Sequence, residues 1–219
     1  MAQKSGGDKV TRYLVIGMVI FVVLIGTVFS VMSNKSKTAA IPSSVSKADG
    51  FGIVFNGEVK NKVVDIWEDL QCPICAQFES VNGIYLKDLV NSKKAKVVFH
   101  ILSFIGPESV LAANAVACAA DEGKFLPLQT YLYSHQGKEN TGTWTKASLI
   151  KFGADAGVAS DQFSSCVSKG TFMDWVSNSA DAGSAAKVSS TPTVKVNGKE
   201  IDRNTEYMDA AAFKKAIEG

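Results

Sequence analysis

The chain has 219 residues, of which 46% are hydrophobic, and a formal net charge of +2. This composition predicts one folded domain of moderate size with an appendage and excludes a disordered protein. It also excludes a nucleic-acid-binding protein, because the sequence has no dense basic patch interleaved with aromatic residues.

The N-terminal segment has the pattern of a membrane anchor. Residues 13–32 form an uncharged apolar run, about as long as the ~20 residues that cross a bilayer as a helix. Basic residues outnumber acidic ones at 1–12, which predicts a cytoplasmic N-terminus and an outward-facing remainder. A cleaved signal peptide is the alternative, although its apolar core is shorter, roughly 7–15 residues.

Residues 33–50 are rich in serine, lysine and alanine and have no periodicity. They predict a flexible tether between the membrane and a domain at 51–219. The protein is therefore expected to be a single-pass protein of the cell membrane, with this domain outside the cytoplasm.

The first half of the domain alternates strands and a helix. Apolar runs predict strands at 51–55, 59–67 and 96–102. Helical spacing of apolar residues predicts a helix that begins at a Cys-x-x-Cys motif and ends near residue 91. The strand–helix–strand order favours parallel pairing of the strands on either side of the helix.

Helical patterns then replace strand patterns at about 107–188. They predict an inserted helical subdomain, because the stretch is too long for an ordinary connection. Strand signals return at 193–196 and 199–201 around Asn197-Gly198, which is a strong hairpin signal, and a final helix is predicted at 207–217. The helices predicted within the insertion lie at 109–120, 124–134, 146–156, 161–167 and 171–186.

The Cys72-Pro73-Ile74-Cys75 motif has two thiols in the first turn of the predicted helix. The free N–H groups and the positive dipole end of a helix start favour a thiolate at Cys72. This thiol is therefore expected to be the more acidic and more reactive of the two. Pro73 fits the first turn, where its missing N–H costs nothing.

Asp65 lies in the apolar strand before the motif, where a carboxylate is costly unless it is functional or solvated. We expect its carboxyl group to lie beneath Cys75 and to accept or pass a proton when that thiol attacks or leaves. The alternative interpretation is a residue at the edge of the strand with no catalytic role.

The four cysteines all follow the apolar run and are expected in a compartment where disulfides persist. They allow three pairings, and the short separation of Cys72 and Cys75 nearly forces that pair. Cys118 is then left with Cys166 as a structural disulfide within the insertion. Such a bond closes a loop of about 50 residues and contributes a few kcal/mol to stability.

The order of the elements resembles the thioredoxin fold, and the helical insertion resembles its DsbA-like branch of thiol:disulfide oxidoreductases. The residues that carry the resemblance are Asp65, the motif Trp-Glu-Asp-Leu-Gln-Cys-Pro-Ile-Cys at 67–75, and Ser-Thr-Pro-Thr at 190–193 with Val-Asn-Gly-Lys at 196–199. The resemblance covers 51–219 and implies an α/β thioredoxin-like fold with an inserted α-helical subdomain, preceded by one transmembrane helix. A second disulfide in the insertion is similar to that of actinobacterial, membrane-tethered members.

The resemblance also implies the roles of several residues. The bond before Pro192 is expected to be cis, with the backbone of Thr191 pairing with an extended substrate peptide beside Cys72. Pro73 and Ile74 are the further substrate-binding residues, and no metal or cofactor is expected. Many strongly oxidising members have a histidine at the position of Ile74, so this protein is expected to be a milder oxidant.

The resemblance implies that the enzyme introduces disulfide bonds into exported, unfolded proteins with free cysteines. A membrane partner of the DsbB or vitamin K epoxide reductase type would then reoxidise Cys72 and Cys75. One alternative is a membrane-tethered reductase or isomerase of the same fold. An alternative of another class is a metal-binding or structural envelope protein, although zinc needs four well-placed ligands.

Overall fold

A six-stranded mixed sheet is the centre of the structure, a computed structural model that describes residues 40–219. The strands lie in the spatial order β1-β2-β4-β3-β5-β6. Their bounds are β1 (Val45–Ser46), β2 (Gly52–Phe55), β3 (Val63–Asp69), β4 (Lys96–Leu102), β5 (Thr193–Val196) and β6 (Lys199–Glu200). Strands β3 and β4 are parallel, and every other neighbouring pair is antiparallel.

The helices of the described residues divide into a connection, an insertion and a closing helix. Helix α1 (Pro73–Ser92) connects the parallel strands β3 and β4. The insertion between β4 and β5 contains α2 (Pro107–Asp121), α3 (Phe125–Ser134), α4 (Lys146–Asp155), α5 (Asp161–Lys169) and α6 (Met173–Ala185). Helix α7 (Ala210–Glu218) closes the chain. The predicted α/β architecture with an inserted helical subdomain is thus confirmed.

The central strands β3 and β4 fix the backbone that leads into the site. All seven residues of β4 are buried, as expected for a strand covered on both faces. In β3, Val64, Ile66 and Glu68 are completely buried, and they lie on one face because side chains alternate along a strand. Burial of these strands therefore fixes the position of the residues that directly follow β3.

A disulfide joins Cys118 in α2 to Cys166 in α5, with the two Cα atoms 5.9 Å apart. Cys118 is buried within the alanine-rich helix α2, whose small side chains allow neighbouring helices to pack closely. The bond links two helices that are separated along the chain by α3 and α4.

Part of the predicted tether belongs to the folded domain. Within 40–50, β1 pairs with β2, and Lys96 forms an ion pair with Asp49. The prediction of a flexible tether up to residue 50 was therefore wrong, because a strand of two residues is too short to show a pattern in the sequence.

The predictions for 1–12, for a transmembrane helix at 13–32 and for the tether at 33–39 lie outside the described residues. Residues 40–219 include no helix with both the length and the apolar character that a membrane span requires.

Candidate active site

Strand β3 and helix α1 meet at Cys72. This residue is the N-cap of α1, with an extended backbone, and Pro73 occupies the first turn. Cys72 is 7% exposed and Cys75 is completely buried, and both are free thiols. Between them, Ile74 is 47% exposed, so the motif presents an apolar side chain beside the one thiol that solvent reaches.

The surroundings of Cys72 stabilise its thiolate. Hydrogen bonds from the thiol of Cys75, from the side chain of Thr191 and from the backbone N–H groups of Cys75 and Ile74 outweigh the effect of burial. They lower the pKa of Cys72 to about 6. Its Sγ lies 3.5 Å from the carbonyl oxygen of Thr191, and the Thr191–Pro192 bond is cis. The structure thus brings together Cys72, Cys75, Thr191 and the motif residue Ile74.

Cys75 has the opposite electrostatic environment. Burial raises its pKa far above the ordinary range, and the neighbouring Cys72 and the charge of Glu68 raise it further. Cys75 therefore keeps its proton while Cys72 is ionised. The two thiols of one short motif therefore differ in protonation at neutral pH, with Cys72 as the reactive thiolate and Cys75 as a protonated thiol.

The acid beside Cys75 is Glu68 and not Asp65. Asp65 lies on the other face of β3, where its Oδ1 is 3.1 Å from Nε2 of His100. The expectation that Asp65 lies beneath Cys75 was therefore wrong. The reason is strand parity, because Asp65 and Glu68 are an odd number of positions apart and their side chains point to opposite sides of the sheet.

Glu68 shares a buried polar cluster with Glu79 of α1. Gln129 of α3 donates a hydrogen bond of 2.6 Å to Oε1 of Glu68. The other oxygen of Glu68 and one oxygen of Glu79 are buried, with no hydrogen-bond partner among residues 40–219. Burial raises the pKa of Glu79 to about 7, and burial together with the charge of Glu79 raises the pKa of Glu68 well above its ordinary value. Two carboxyl groups in contact cannot both be charged at low cost, so the pair holds a proton near neutral pH.

A groove connects this carboxyl pair with the surface. It has a volume of about 230 Å³ and lies between α1 and α3. Its lining includes Ala76, Glu79, Lys87, Thr130 and Tyr133. Glu79 is therefore a member of both the buried pair and the wall of the groove, which gives the proton of the pair a way to solvent.

The sequence indicates that Glu68 is close to the thiols, but sequence reasoning assigned the proton-transfer role to Asp65 although one further signal favoured Glu68. Glu68 follows the buried residues Val64 and Ile66 at even spacing, so parity alone assigns it to the face that packs against α1. Glu79 and Gln129 had no comparable signal, because their meeting depends on how α1 and α3 pack. The described residues hold no cluster of three or more His, Cys, Asp or Glu that could bind a metal ion.

The comparison with known families gives the same fold. A family model described as thioredoxin matches residues 52–218. This chain belongs to the thioredoxin family. The MdbA protein of Actinomyces oris, a thiol-disulfide oxidoreductase, is similar in structure with a TM-score of 0.70 and 23% identity, over 84% of this chain and 91% of that one. The reduced form of the disulfide bond oxidoreductase DsbG of Mycobacterium tuberculosis has a TM-score of 0.66 and 26% identity, over 78% of this chain and 87% of that one.

These similarities show the thioredoxin-like fold with a helical insertion, which is the architecture of the DsbA-like thiol:disulfide oxidoreductases. A curated relative of another kind is a Na(+)/H(+) antiporter NhaA 1 of Salinispora arenicola, which is 28% identical over 146 residues, or 65% of this chain and 21% of that protein. The chain thus spans about a fifth of the length of the curated relatives that it matches.

Proposed function

We propose that the protein introduces disulfide bonds into exported proteins on the outer side of the cell membrane. The observation that carries this proposal is the contrast between the two motif thiols, with the pKa of Cys72 lowered to about 6 and that of Cys75 raised. A stabilised thiolate favours the reduced form of the pair. Its disulfide is correspondingly ready to accept electrons from a substrate.

The reaction begins when a substrate thiolate attacks Sγ of Cys72 in the oxidised enzyme. The bond between Cys72 and Cys75 breaks, and Cys75 leaves with the electron pair while a mixed disulfide forms at Cys72. A second substrate thiolate then attacks the substrate sulfur of the mixed disulfide and releases the Cys72 thiolate. The substrate loses two electrons and gains a disulfide, and the motif is left reduced.

The leaving Cys75 needs a proton, because a thiolate in its buried position is strongly disfavoured. Glu68 is the acid beside Cys75, and burial raises its pKa well above the ordinary value, which favours its protonated form. Glu68 donates the proton, and Glu79 restores it through the groove that it lines. Reoxidation of the motif uses the same route in the opposite direction.

Substrates bind across the mouth of the motif. The exposed side chain of Ile74 and the adjoining Pro73 offer an apolar surface to an unfolded chain, and the backbone of Thr191 offers strand-like hydrogen bonds beside Cys72. A folded substrate seldom presents a free thiol together with an extended apolar segment. The site therefore suits newly exported chains that have not yet folded.

The membrane location rests on the apolar run at 13–32 and on the charges before it. The similarity to part of an ion antiporter supports it, since a related segment occurs in a protein that works in a membrane. A tethered domain lies close both to emerging chains and to a membrane oxidant of the DsbB or vitamin K epoxide reductase type, which would remove two electrons from Cys72 and Cys75. A membrane-impermeant maleimide that labels Cys72 on intact, reduced cells would support this location, and labelling only after lysis would overturn it.

The equilibrium reduction potential of the motif, measured in the full-length chain against glutathione, tests the direction of the reaction. A value well above that of thioredoxin, towards the roughly −120 mV of DsbA, supports the oxidase. A value near roughly −270 mV would contradict it and favour a reductase. We expect a value short of the DsbA extreme, because the side chain of Ile74 cannot donate a hydrogen bond to the Cys72 thiolate.

A further inference from the structure

Gln136, in the loop after α3, reaches back from the helical insertion to the turn that carries Cys72. Its side-chain Nε2 donates to the carbonyl oxygen of Leu70 at 2.8 Å and to that of Cys72 at 3.1 Å. The two hydrogens of one amide group thus hold the carbonyl groups on either side of Gln71. The side chain bridges the last turn before α1 and the first residue of the motif.

A hydrogen bond to the carbonyl group of Cys72 affects the thiolate of the same residue. Its oxygen also accepts from the backbone N–H of Ala76 at 3.1 Å, which is the first helical bond at the start of α1. This oxygen carries a partial negative charge in the same residue as the sulfur. An amide hydrogen directed at it offsets that charge and fixes the orientation of the Cys72 backbone. The N–H groups of Ile74 and Cys75 then remain directed at Sγ.

The rest of the insertion holds the same turn at other points. The hydroxyl group of Tyr133 donates to the carbonyl oxygen of Asp69 at 3.3 Å, and the backbone N–H of Asn140 donates to Oε1 of Gln71 at 2.8 Å. Within this set, Gln136 is the side chain that bonds to Cys72 itself. The contact between Gln136 and Cys72 therefore affects the ionisation of the Cys72 thiol as well as the stability of the turn.

We propose that Gln136 is a positioning residue through which the helical insertion stabilises the thiolate of Cys72. The side chain of Ile74 between the cysteines cannot donate a hydrogen bond, so the thiolate is stabilised by the Cys75 thiol, by backbone N–H groups and by groups outside the motif. Gln136 acts through the Cys72 backbone and does not contact the substrate. This inference rests on Cys72 being the reactive thiol in the proposed function.

The test compares three variants of the full-length, reduced chain. Gln136→Met keeps the length of the side chain but loses both donated hydrogen bonds, and Gln136→Glu keeps its shape but directs a negative charge at the two carbonyl groups. Gln77→Met is the matched control, because Gln77 is an exposed residue of α1 that follows the motif. The pKa of Cys72 is followed by thiolate absorbance and by the pH dependence of its alkylation rate.

We expect Gln136→Met to raise the pKa of Cys72 by about half a unit, which is part of the free energy of one hydrogen bond. Gln136→Glu should raise it further, and Gln77→Met should leave it unchanged. The inference would be overturned if folded Gln136→Met and Gln136→Glu variants had a lower melting temperature but the wild-type pKa of Cys72. If Gln136→Met does not fold, the Gln136→Glu comparison decides alone.

The outcome is separate from that of the proposed function. A low reduction potential would overturn the oxidase but leave the effect of Gln136 on the thiolate measurable. An oxidising potential together with an unchanged pKa in the Gln136 variants would retain the oxidase and reject the role of Gln136.

Discussion

The two cysteine pairs of this protein have the same chemical groups and opposite properties. Cys72 and Cys75 share a helix start, where N–H groups stabilise one thiolate and burial protects the other thiol. Cys118 and Cys166 are separated by 48 positions and tie two helices of the insertion together. The difference shows that a reactive pair needs unequal surroundings, whereas a structural pair needs a long chain segment to close.

Replacement of Cys72 is the most direct test of the difference between the reactive and the structural cysteine pair. We expect Cys72→Ser to abolish dithiol oxidation, because neither the Cys72–Cys75 bond nor a mixed disulfide at Cys72 can form. The measurement is the rate at which a reduced model peptide gains its disulfide. Cys75→Ser should instead accumulate mixed disulfides through Cys72. Appreciable oxidation by Cys72→Ser would show that the nucleophile is another thiol.

Glu68 and Asp65, on opposite faces of β3, allow a sharper test of why Cys75 differs from Cys72. Glu68→Gln removes the proton donor beside Cys75, so the oxidation rate near neutral pH should fall about 10²-fold, at the lower end of the range for general acid catalysis. Asp65→Asn is the matched control, since it makes the same change on the other face of the same strand. Equal losses in both variants would contradict the assignment of the proton route to Glu68.

Glu68 and Asp65 also show which features of the site can be predicted from the sequence alone. The Cys-x-x-Cys helix and strand β4 were predictable because local patterns determine them, and β4 has the predicted bounds. The buried acid was predictable only through parity within β3, which favours Glu68 over Asp65. The contacts of Glu79 and Gln136 were not predictable, because they depend on the packing of helices whose relative positions no local pattern determines.

Removal of the second disulfide tests the structural side of the comparison. The double variant Cys118→Ala/Cys166→Ala should lose about 2–5 kcal/mol of unfolding free energy, because its unfolded chain is no longer closed into a loop. The reduction potential of Cys72 and Cys75 should stay at the wild-type value. Urea unfolding and a glutathione titration measure the two quantities. A clear change in potential would mean that the second pair exchanges electrons with the first.

The pH dependence of stability gives the most specific test of the unequal surroundings. In the reduced protein, the pKa of Cys72 falls from an ordinary 9.0 to about 6 on folding. Because the folded value is the lower one, the ionised Cys72 stabilises the folded state fully above about pH 9, and this stabilisation is lost as the pH falls through about 6. Between these limits it should change by on the order of 1 kcal/mol for each pH unit.

The measurement is the unfolding free energy of reduced wild type minus that of Cys72→Ser, at pH values of about 5, 7 and 9. Both proteins retain Glu68 and Glu79, whose own titration cancels in the difference. The difference should be small at the lowest pH and rise steadily, since only the wild type gains a stabilised thiolate. A difference that stays constant with pH would show that Cys72 is not ionised in the folded protein at neutral pH. Cys72 and Cys75 would then differ only in their exposure to solvent.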